Sequence, residues 1–392
     1  MIAMDRFQNR NLRFILWMSL IAALVSSCYN STAGLTESDP NNSDAAIKYA
    51  QRFTLEKTDS SAILTVTDPW QGAKGIRQVY HLVGRDLETT GWKDTSAIIR
   101  VPVKSVICMS TTHVAMIAAL GRIDAITGVS GAGFIYDPRV RERIGRGLIR
   151  EVGYESGLNH ELVLSIAPDI MIAYGIGSES AGYLGKLKEL GVKVLFNADY
   201  LEKDPLAKAE WIKVFGALFS LEQPADSVFD SVCESYNQIK GFVQRHSAGK
   251  PDVLLGLPFR DTWFVSPGDS YPGRLIEDAG GKYLWYDTKS TVSMPLSLEE
   301  VFLRSLKADY WLNTGSAASK SEIASLDPRL QEIPCFNTGT IYNNNMRISP
   351  SGGNDYWESG IINPHIILKD VASILHPEMF PGYELFYYRK LE

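Results

Sequence analysis

From Val103 onward the chain alternates short continuous apolar runs with amphipathic stretches of helical period. Val103–Met109 (VKSVICM), Ala125–Val129, Ile149–Val152, Asp169–Tyr174 (DIMIAY) and Val192–Phe196 (VKVLF) have the length and composition of buried strands. Between them lie predicted helices, one capped by Ser110-Thr111-Thr112 and stopped at Gly121, others stopped at Pro168 and Gly191. Such runs alternating with helices predict a parallel sheet covered on both faces. From Pro205 to Arg245 the strands cease and a helical pattern continues, interrupted once at Glu222-Gln223-Pro224. After Lys250-Pro251 the rhythm returns with strands Asp252–Leu257 and Thr262–Ser266, a helix over Tyr271–Ala279, and strands Asp309–Asn313 and Thr340–Tyr342. Ser297-x-x-Glu300 forms a capping box, and Ile361–Leu375 reads as a closing helix. Ahead of all this, Ala45–Arg100 is short-stranded and punctuated by Asp68-Pro69 and by Gly72 to Gly75.

The predicted fold class is α/β: two Rossmann-like lobes with parallel sheets, joined by a long rigid α-helix, plus a small N-terminal β-rich appendage. The boundaries are an appendage at 45–100, a first lobe at 101–204, a bridging helix at 205–246 and a second lobe at 247–392. Small molecules bind outside the carboxyl ends of parallel strands and between domains, so the cleft between the lobes is the expected site.

The first 27 residues belong to none of this. Arg6, Arg10 and Arg13 precede Phe14–Val25, twelve apolar or small residues, which is short for a membrane span of about 20. The run ends in Val25-Ser26-Ser27-Cys28, which resembles the lipobox of bacterial lipoproteins. Residues 1–27 therefore read as a lipoprotein signal peptide, with Cys28 the lipidated first residue of the mature chain. Residues 28–44, rich in Ser, Thr, Asn and Gly, read as a flexible tether. The remaining cysteines, Cys108, Cys233 and Cys335, are odd in number and read as buried free thiols.

Composition narrows the function classes. The 392 residues carry 39 basic and 45 acidic groups, and removing the signal peptide takes the net charge from -6 to -8, so no nucleic-acid footprint is expected. The chain has no Walker A motif, no Gly-x-Gly-x-x-Gly and no Gly-x-Ser-x-Gly elbow; His160-Glu161 opens like a zinc-protease motif but has Leu164 where the second His belongs. The six His show no ligand-like spacing. No catalytic residue and no metal site is assigned, and the chain is expected not to be an enzyme. The loops are more informative. Tyr136, Tyr154, Tyr174 and Tyr200 fall close to strand ends of the first lobe, and Trp263, Tyr271, Tyr356 and Trp357 in loops of the second. Aromatics with a polar tip suit the walls of a cleft around a bulky ligand, although each could equally cover a core edge.

Six segments carry a family resemblance: Val103–Gly121, Ile123–Val129, Asn159-His160-Glu161 with Ile166–Ile170, Thr262–Gly268 with Ser270-Tyr271, Leu275–Gly281, and Gly352–Glu358. In this order behind a lipobox they resemble the periplasmic substrate-binding lipoproteins, of the bridging-helix class, that deliver iron–siderophore, haem or cobalamin to ABC importers. The last segment resembles the Bacteroidetes branch in particular. The resemblance implies a monomeric, lipid-anchored periplasmic receptor that captures an iron chelate (ferric siderophore or haem) between its lobes. It also implies a permease dimer in the inner membrane as partner and no intrinsic cofactor. A cobalamin receptor of the same family is the alternative, and an extracytoplasmic enzyme processing metal chelates a more distant one.

The resemblance also implies docking on permease arginines through an acid on each lobe. Glu161 matches the first; at the second position stands Arg274, with Glu277 and Asp278 one turn later, and Glu277 is the assigned substitute. The expected ligand contacts are His113, Tyr136, Tyr154, Tyr174, Arg260, Trp263, Tyr271, Arg347 and Trp357. Arg260 and Arg347 would hold an anionic group. His113 would ligate a haem or corrinoid metal, or serve only its own helix terminus. Two or more cationic contacts would favour an anionic ferric chelate or haem, whereas a corrinoid asks mainly for aromatic walls.

Overall fold

The computed structural model describes residues 47–58, 61–88, 97–154, 157–175 and 185–392. Ala45–Glu392 form one compact unit, to which everything below refers. The segments expected to be the signal peptide and the tether, with Cys28 between them, lie outside the described residues.

Sixteen strands occur among the described residues: β1 Phe53–Lys57, β2 Ser61–Thr67, β3 Arg77–Gly84, β4 Ile98–Val101, β5 Val106–Cys108, β6 Ile126–Val129, β7 Arg150–Glu151, β8 Ile170–Ala173, β9 Val194–Phe196, β10 Asp252–Leu255, β11 Thr262–Val265, β12 Lys282–Tyr283, β13 Met294–Ser297, β14 Tyr310–Leu312, β15 Ile341–Asn343 and β16 Arg389–Lys390. The first lobe is an all-parallel sheet in the order β7-β6-β5-β8-β9. Its strands β5, β8 and β9 are buried along their whole length, which explains their unbroken apolar reading. The second lobe is ordered β12-β10-β14-β15-β16, parallel except for β16, which closes the edge antiparallel to β15. In both sheets the chain runs outward to one side and then crosses over, between β5 and β8 in the first lobe and between β10 and β14 in the second. Each sheet thus has a topological switch point at the carboxyl ends of its strands.

The segment between the lobes departs from the expected single helix. It is three helices, Pro205–Glu210, Ile212–Phe219 and Glu222–His246. The chain turns at Ser220, which takes a left-handed φ of 53°, and Pro224 sits in the first turn of the last helix, where its missing N–H costs nothing. The 25-residue last helix runs along Pro364–Leu375 of the second lobe. Asn159 caps helix His160–Ile166 by accepting the Leu162 N–H at 2.9 Å, and Ser297 caps Leu298–Ser305 through the Glu300 N–H.

The N-terminal strands form a sheet in the order β1-β2-β3-β4, antiparallel except for the parallel β3–β4 pair. This sheet shares one continuous core with both lobes. Two buried carboxylates staple its leading edge. Glu210 accepts the backbone N–H groups of Lys48, Tyr49 and Ala50 at 2.7–2.9 Å and pairs with Lys213 at 3.2 Å. Glu202 accepts those of Gln51 and Arg52 and the indole N–H of Trp211. Five backbone donors that would otherwise be desolvated are satisfied this way, which makes the appendage integral to the fold. Cys108, Cys233 and Cys335 are free thiols; the first and last are buried and Cys233 lies 3.3 Å from the Tyr49 hydroxyl.

Candidate functional site

A cleft of about 870 Å³ opens where the strand ends of the two lobes face each other. From the first lobe it receives Ser110 and Thr111 after β5, Ser130 and Phe134 after β6, Tyr154 after β7 and Tyr174 after β8. From the second it receives Ser316 after β14, Asn345, Asn354 and Trp357 after β15, and Arg389 of β16. Most of these side chains follow their strands within a few residues, whereas Asn354 and Trp357 come from the longer loop after β15. Ser110 caps helix Thr111–Ala119 by accepting the Thr112 N–H at 3.2 Å, so the helix opens directly at the cleft. Glu151 accepts the backbone N–H groups of Gly131, Ala132 and Gly153, tying together the two loops that carry Phe134 and Tyr154. Those rings meet edge to face with centroids 6.4 Å apart.

Beside this cleft, and sharing Trp357 with it, lies a second chamber of about 500 Å³ at the switch point of the second lobe. It is bounded by Leu255, Gly256 and Asn313 at the ends of β10 and β14, by Tyr271 and Phe264, and by Gln71, Tyr200, Lys203 and Lys208. Its floor is held from beneath: Trp263 donates its indole N–H to the Leu255 carbonyl at 3.0 Å and Trp311 to the Gly256 carbonyl at 2.7 Å.

The two spaces differ in charge. Among the described residues lining the main cleft there is no carboxylate and a single cation, Arg389, which already donates to Asn345 Oδ1 at 2.8 Å and to the Ala318 carbonyl. In the second chamber Lys203 is paired with Asp269, and the Lys208 ammonium lies 4.9 Å over the Tyr271 ring. Burial lowers the pKa of Lys208, opposed by the nearby carboxylates of Asp199 and Glu202; burial likewise raises Asp199, which Lys208 counteracts.

The nine expected contacts therefore separate. Tyr154, Tyr174 and Trp357 line the main cleft, with Tyr154 and Trp357 more than half exposed. Tyr271 lines the second chamber. Tyr136 and Arg347 instead border a side cavity of about 340 Å³, where Arg347 lies between the rings of Tyr136 and Phe386 and is paired with Asp355 at 2.6 Å. Arg260 lies exposed after β10 over the ring of Phe259 and lines neither the cleft nor the chamber. Trp263 has no exposed surface and packs on Trp311, with centroids 5.9 Å apart. His113 is wholly buried near Phe215, and burial pushes its pKa down to about 3, so it is a neutral core side chain out of reach of any cleft ligand. Phe134, Asn345, Asn354 and Arg389 were not anticipated. Phe134 had a signal, its place in the Gly-rich loop after β6; Arg389 had none, because only the return of the C-terminal tail to β15 brings it to the cleft.

The lobes touch at the rim of the side cavity. Glu358, 2% exposed, accepts the backbone N–H groups of Tyr136 and Asp137 across the boundary at 2.6 and 2.9 Å. Burial pushes its pKa up to about 7 despite those two donors. Thr111 donates its hydroxyl to the Trp357 carbonyl at 3.1 Å. Gly353 comes so close to the first lobe that a Cβ there would lie 2.5 Å from the Phe134 carbonyl oxygen. Of the acids expected to dock on a permease, Glu161 is exposed in the first turn of its helix and Glu277 is exposed. Asp278 is engaged by Lys240 at 2.8 Å and the Tyr236 hydroxyl at 2.8 Å. Among the described residues no three His, Cys, Asp or Glu side chains converge to hold a metal ion, and no helix is long and apolar enough to cross a membrane.

Two α/β sheets meeting at their strand ends over an aromatic cleft define a bilobal solute-binding protein. The chain belongs to the periplasmic binding protein family, whose sequence model matches residues 106–344. It is 26% identical to an uncharacterized lipoprotein of Methanocaldococcus jannaschii over 95% of this chain and 94% of the relative. Its fold is that of a periplasmic haem-binding protein from Pseudomonas aeruginosa (TM-score 0.57, 16% identity, 74% of this chain and 98% of the other). It is also that of a possible iron-binding periplasmic solute-binding protein from Staphylococcus epidermidis (TM-score 0.54, 19% identity, 70% and 99%). A periplasmic vitamin B12 binding protein from Vibrio cholerae matches with a TM-score of 0.50 at 16% identity, over 71% and 99% of the two chains.

Proposed function

We propose that this protein is the lipid-anchored receptor of an ABC importer, held to the membrane through Cys28, and that it captures a bulky metal chelate of low net charge for delivery to a permease dimer. The observation that carries this reading is the main cleft: about 870 Å³, walled by Phe134, Tyr154, Tyr174 and Trp357, with Arg389 its single cation and no carboxylate among the described lining residues. Such a volume stands toward the upper end of small-molecule sites. A triply anionic ferric chelate would ask for several cations. With Arg260 and Arg347 both directed elsewhere, the balance moves from the iron–siderophore reading to a corrinoid of the cobalamin type, which needs aromatic walls and neutral hydrogen-bonding groups such as Ser110, Asn345 and Asn354. Haem is the second reading, favoured by Arg389 and Lys208 as partners for its two carboxylates. Docking on the permease would use Glu161 and Glu277, because Asp278 is already occupied by Lys240 and Tyr236.

Titration of the purified protein with cyanocobalamin, haemin, a neutral ferric hydroxamate and a ferric tricatecholate, followed by tryptophan quenching, tests the reading. Cyanocobalamin is expected to saturate most tightly and the tricatecholate least. Tightest binding of the tricatecholate would overturn the low-charge assignment, and hydrolytic or redox turnover of a chelate without stable binding would overturn the receptor itself.

A further inference from the structure

The N-terminal sheet precedes the 106–344 segment matched by the family, yet its β2–β3 turn reaches the ligand space. The Trp70 ring lies 5.4 Å from the Phe196 ring at the end of β9. Its Cβ fills the space over Gly175, where an added side-chain carbon would stand 2.7 Å away. The next residue, Gln71, gives its backbone N–H both to the Gly175 carbonyl at 3.3 Å and to the Tyr200 hydroxyl oxygen at 3.1 Å. Tyr200 donates its own hydroxyl to that same Gly175 carbonyl. The Tyr200 ring meets Tyr174 edge to face at 6.3 Å. Gln71 itself lines the second chamber together with Tyr200 and Lys208. The turn is anchored behind this point, since Tyr80 of β3 donates its hydroxyl to the Val194 carbonyl of β9 at 3.1 Å.

Tyr174 leaves β8 at the switch point, where a cleft wall must be held in place to discriminate among ligands. Its immediate successor, Gly175, has its carbonyl held by Gln71 and Tyr200 and its α-carbon covered by Trp70. We propose that the N-terminal sheet is a third component of the ligand site: Trp70 is a positioning residue for the Tyr174 wall, and Gln71 is a ligand contact supplied from outside the two lobes. A chelate filling the main cleft and extending past Trp357 would meet the Gln71 carboxamide, a neutral donor and acceptor suited to the amide or carboxylate periphery of a macrocycle. The proposal rests on the reading of the cleft as a metal-chelate site.

The test uses the full protein with Trp70→Ala, Gly175→Ala and Gln71→Ala. Affinities for cyanocobalamin and haemin, amide exchange of residues 170–175 and thermal midpoints are measured for each. Trp70→Ala and Gly175→Ala are expected to weaken the tighter-binding probe by about tenfold or more, to change the ratio of the two affinities and to speed exchange at 170–175 in the free protein. Gln71→Ala is expected to lose about threefold to tenfold in affinity with exchange unchanged, since its backbone N–H is kept. A lowered thermal midpoint with wild-type affinities, affinity ratio and exchange would overturn the proposal, because a purely structural strut gives that pattern. If the wild-type protein binds neither probe, the metal-chelate reading falls, while unchanged exchange at 170–175 in both Trp70→Ala and Gly175→Ala would separately overturn the positioning role.

Discussion

The two lobes share one construction and use their aromatic residues in opposite ways. The first lobe sends Phe134, Tyr154 and Tyr174 from three successive strand ends into the cleft. The second turns Trp263 and Trp311 inward beneath its strand ends, where their indole N–H groups hold the carbonyls of Leu255 and Gly256, and leaves Trp357 as its exposed cleft aromatic. One lobe turns its aromatic surface to the main cleft, the other uses it to shape the floor of the adjoining chamber. Aromatic residues near strand ends are therefore not equivalent evidence for a binding wall; what separates them is which face of the backbone they leave from.

Substitutions can break this contrast. The largest effect is expected in the second lobe, where Trp311→Ala removes a fully buried indole and frees the Gly256 carbonyl. A loss of about 3–5 kcal/mol in urea unfolding is expected, and a loss near 1 would mean that the floor is not held from below. Next is the seam between the lobes. The native state keeps the Glu358 proton up to about 7, against an ordinary value of 4.5, so it binds more protons than the unfolded chain between those values. The contribution of Glu358 is thus fully present below about pH 4.5 and is lost as pH rises to 7, by ~3 kcal/mol. The charged groups around it are already committed, Arg139 to Asp137 and Arg347 to Asp355. Glu358→Gln should remove this slope, so that wild-type stability relative to the variant falls between pH 5 and 8; a parallel pair of pH profiles would refute it. Trp357→Ala should weaken binding of the preferred probe by about 1.5–3 kcal/mol and Tyr154→Ala by about 1, each leaving stability within about 0.5. The smallest effect is expected for Arg260→Ala, within about 0.5 kcal/mol in both binding and unfolding. Weakened binding there would restore Arg260 to the site.

The reason that some expectations hold and others fail is visible in particular residues. β11 reads Thr-Trp-Phe-Val, apolar at nearly every position, so its alternation cannot be seen in the sequence. In the structure it pairs antiparallel with β13, which puts Trp263 inside and Phe264 out against the second chamber. Arg347 looks like a free loop cation until the chain between Ser349 and Gly353 folds back on itself and delivers Asp355 to it. His113 stands in a nine-residue helix whose apolar residues nearly surround it, and its burial follows from that helix lying on the sheet and against Ile212–Phe219. The expected long helix divides at Trp211 and Ser220; the second break lies just before the interruption at Glu222-Gln223-Pro224, whereas the first leaves no mark in the periodicity because both of its flanks keep the helical pattern.

The sequence by itself determined the order of the main elements of the two lobes, the parallel character of both sheets, the caps at Ser110 and Ser297, and that a cleft would lie at strand ends between two lobes. These follow from periodicity and end chemistry within a few residues of each other, where the local backbone has few alternatives. The tertiary structure alone decided which aromatics face the cleft, that Arg389 enters it from the C-terminal tail, that Glu358 joins the lobes and that the N-terminal sheet reaches Gly175. Each of those is a contact between residues tens to hundreds of positions apart. Its formation depends on how whole faces pack together, and on satisfying every buried backbone donor at once, which no local window of sequence encodes.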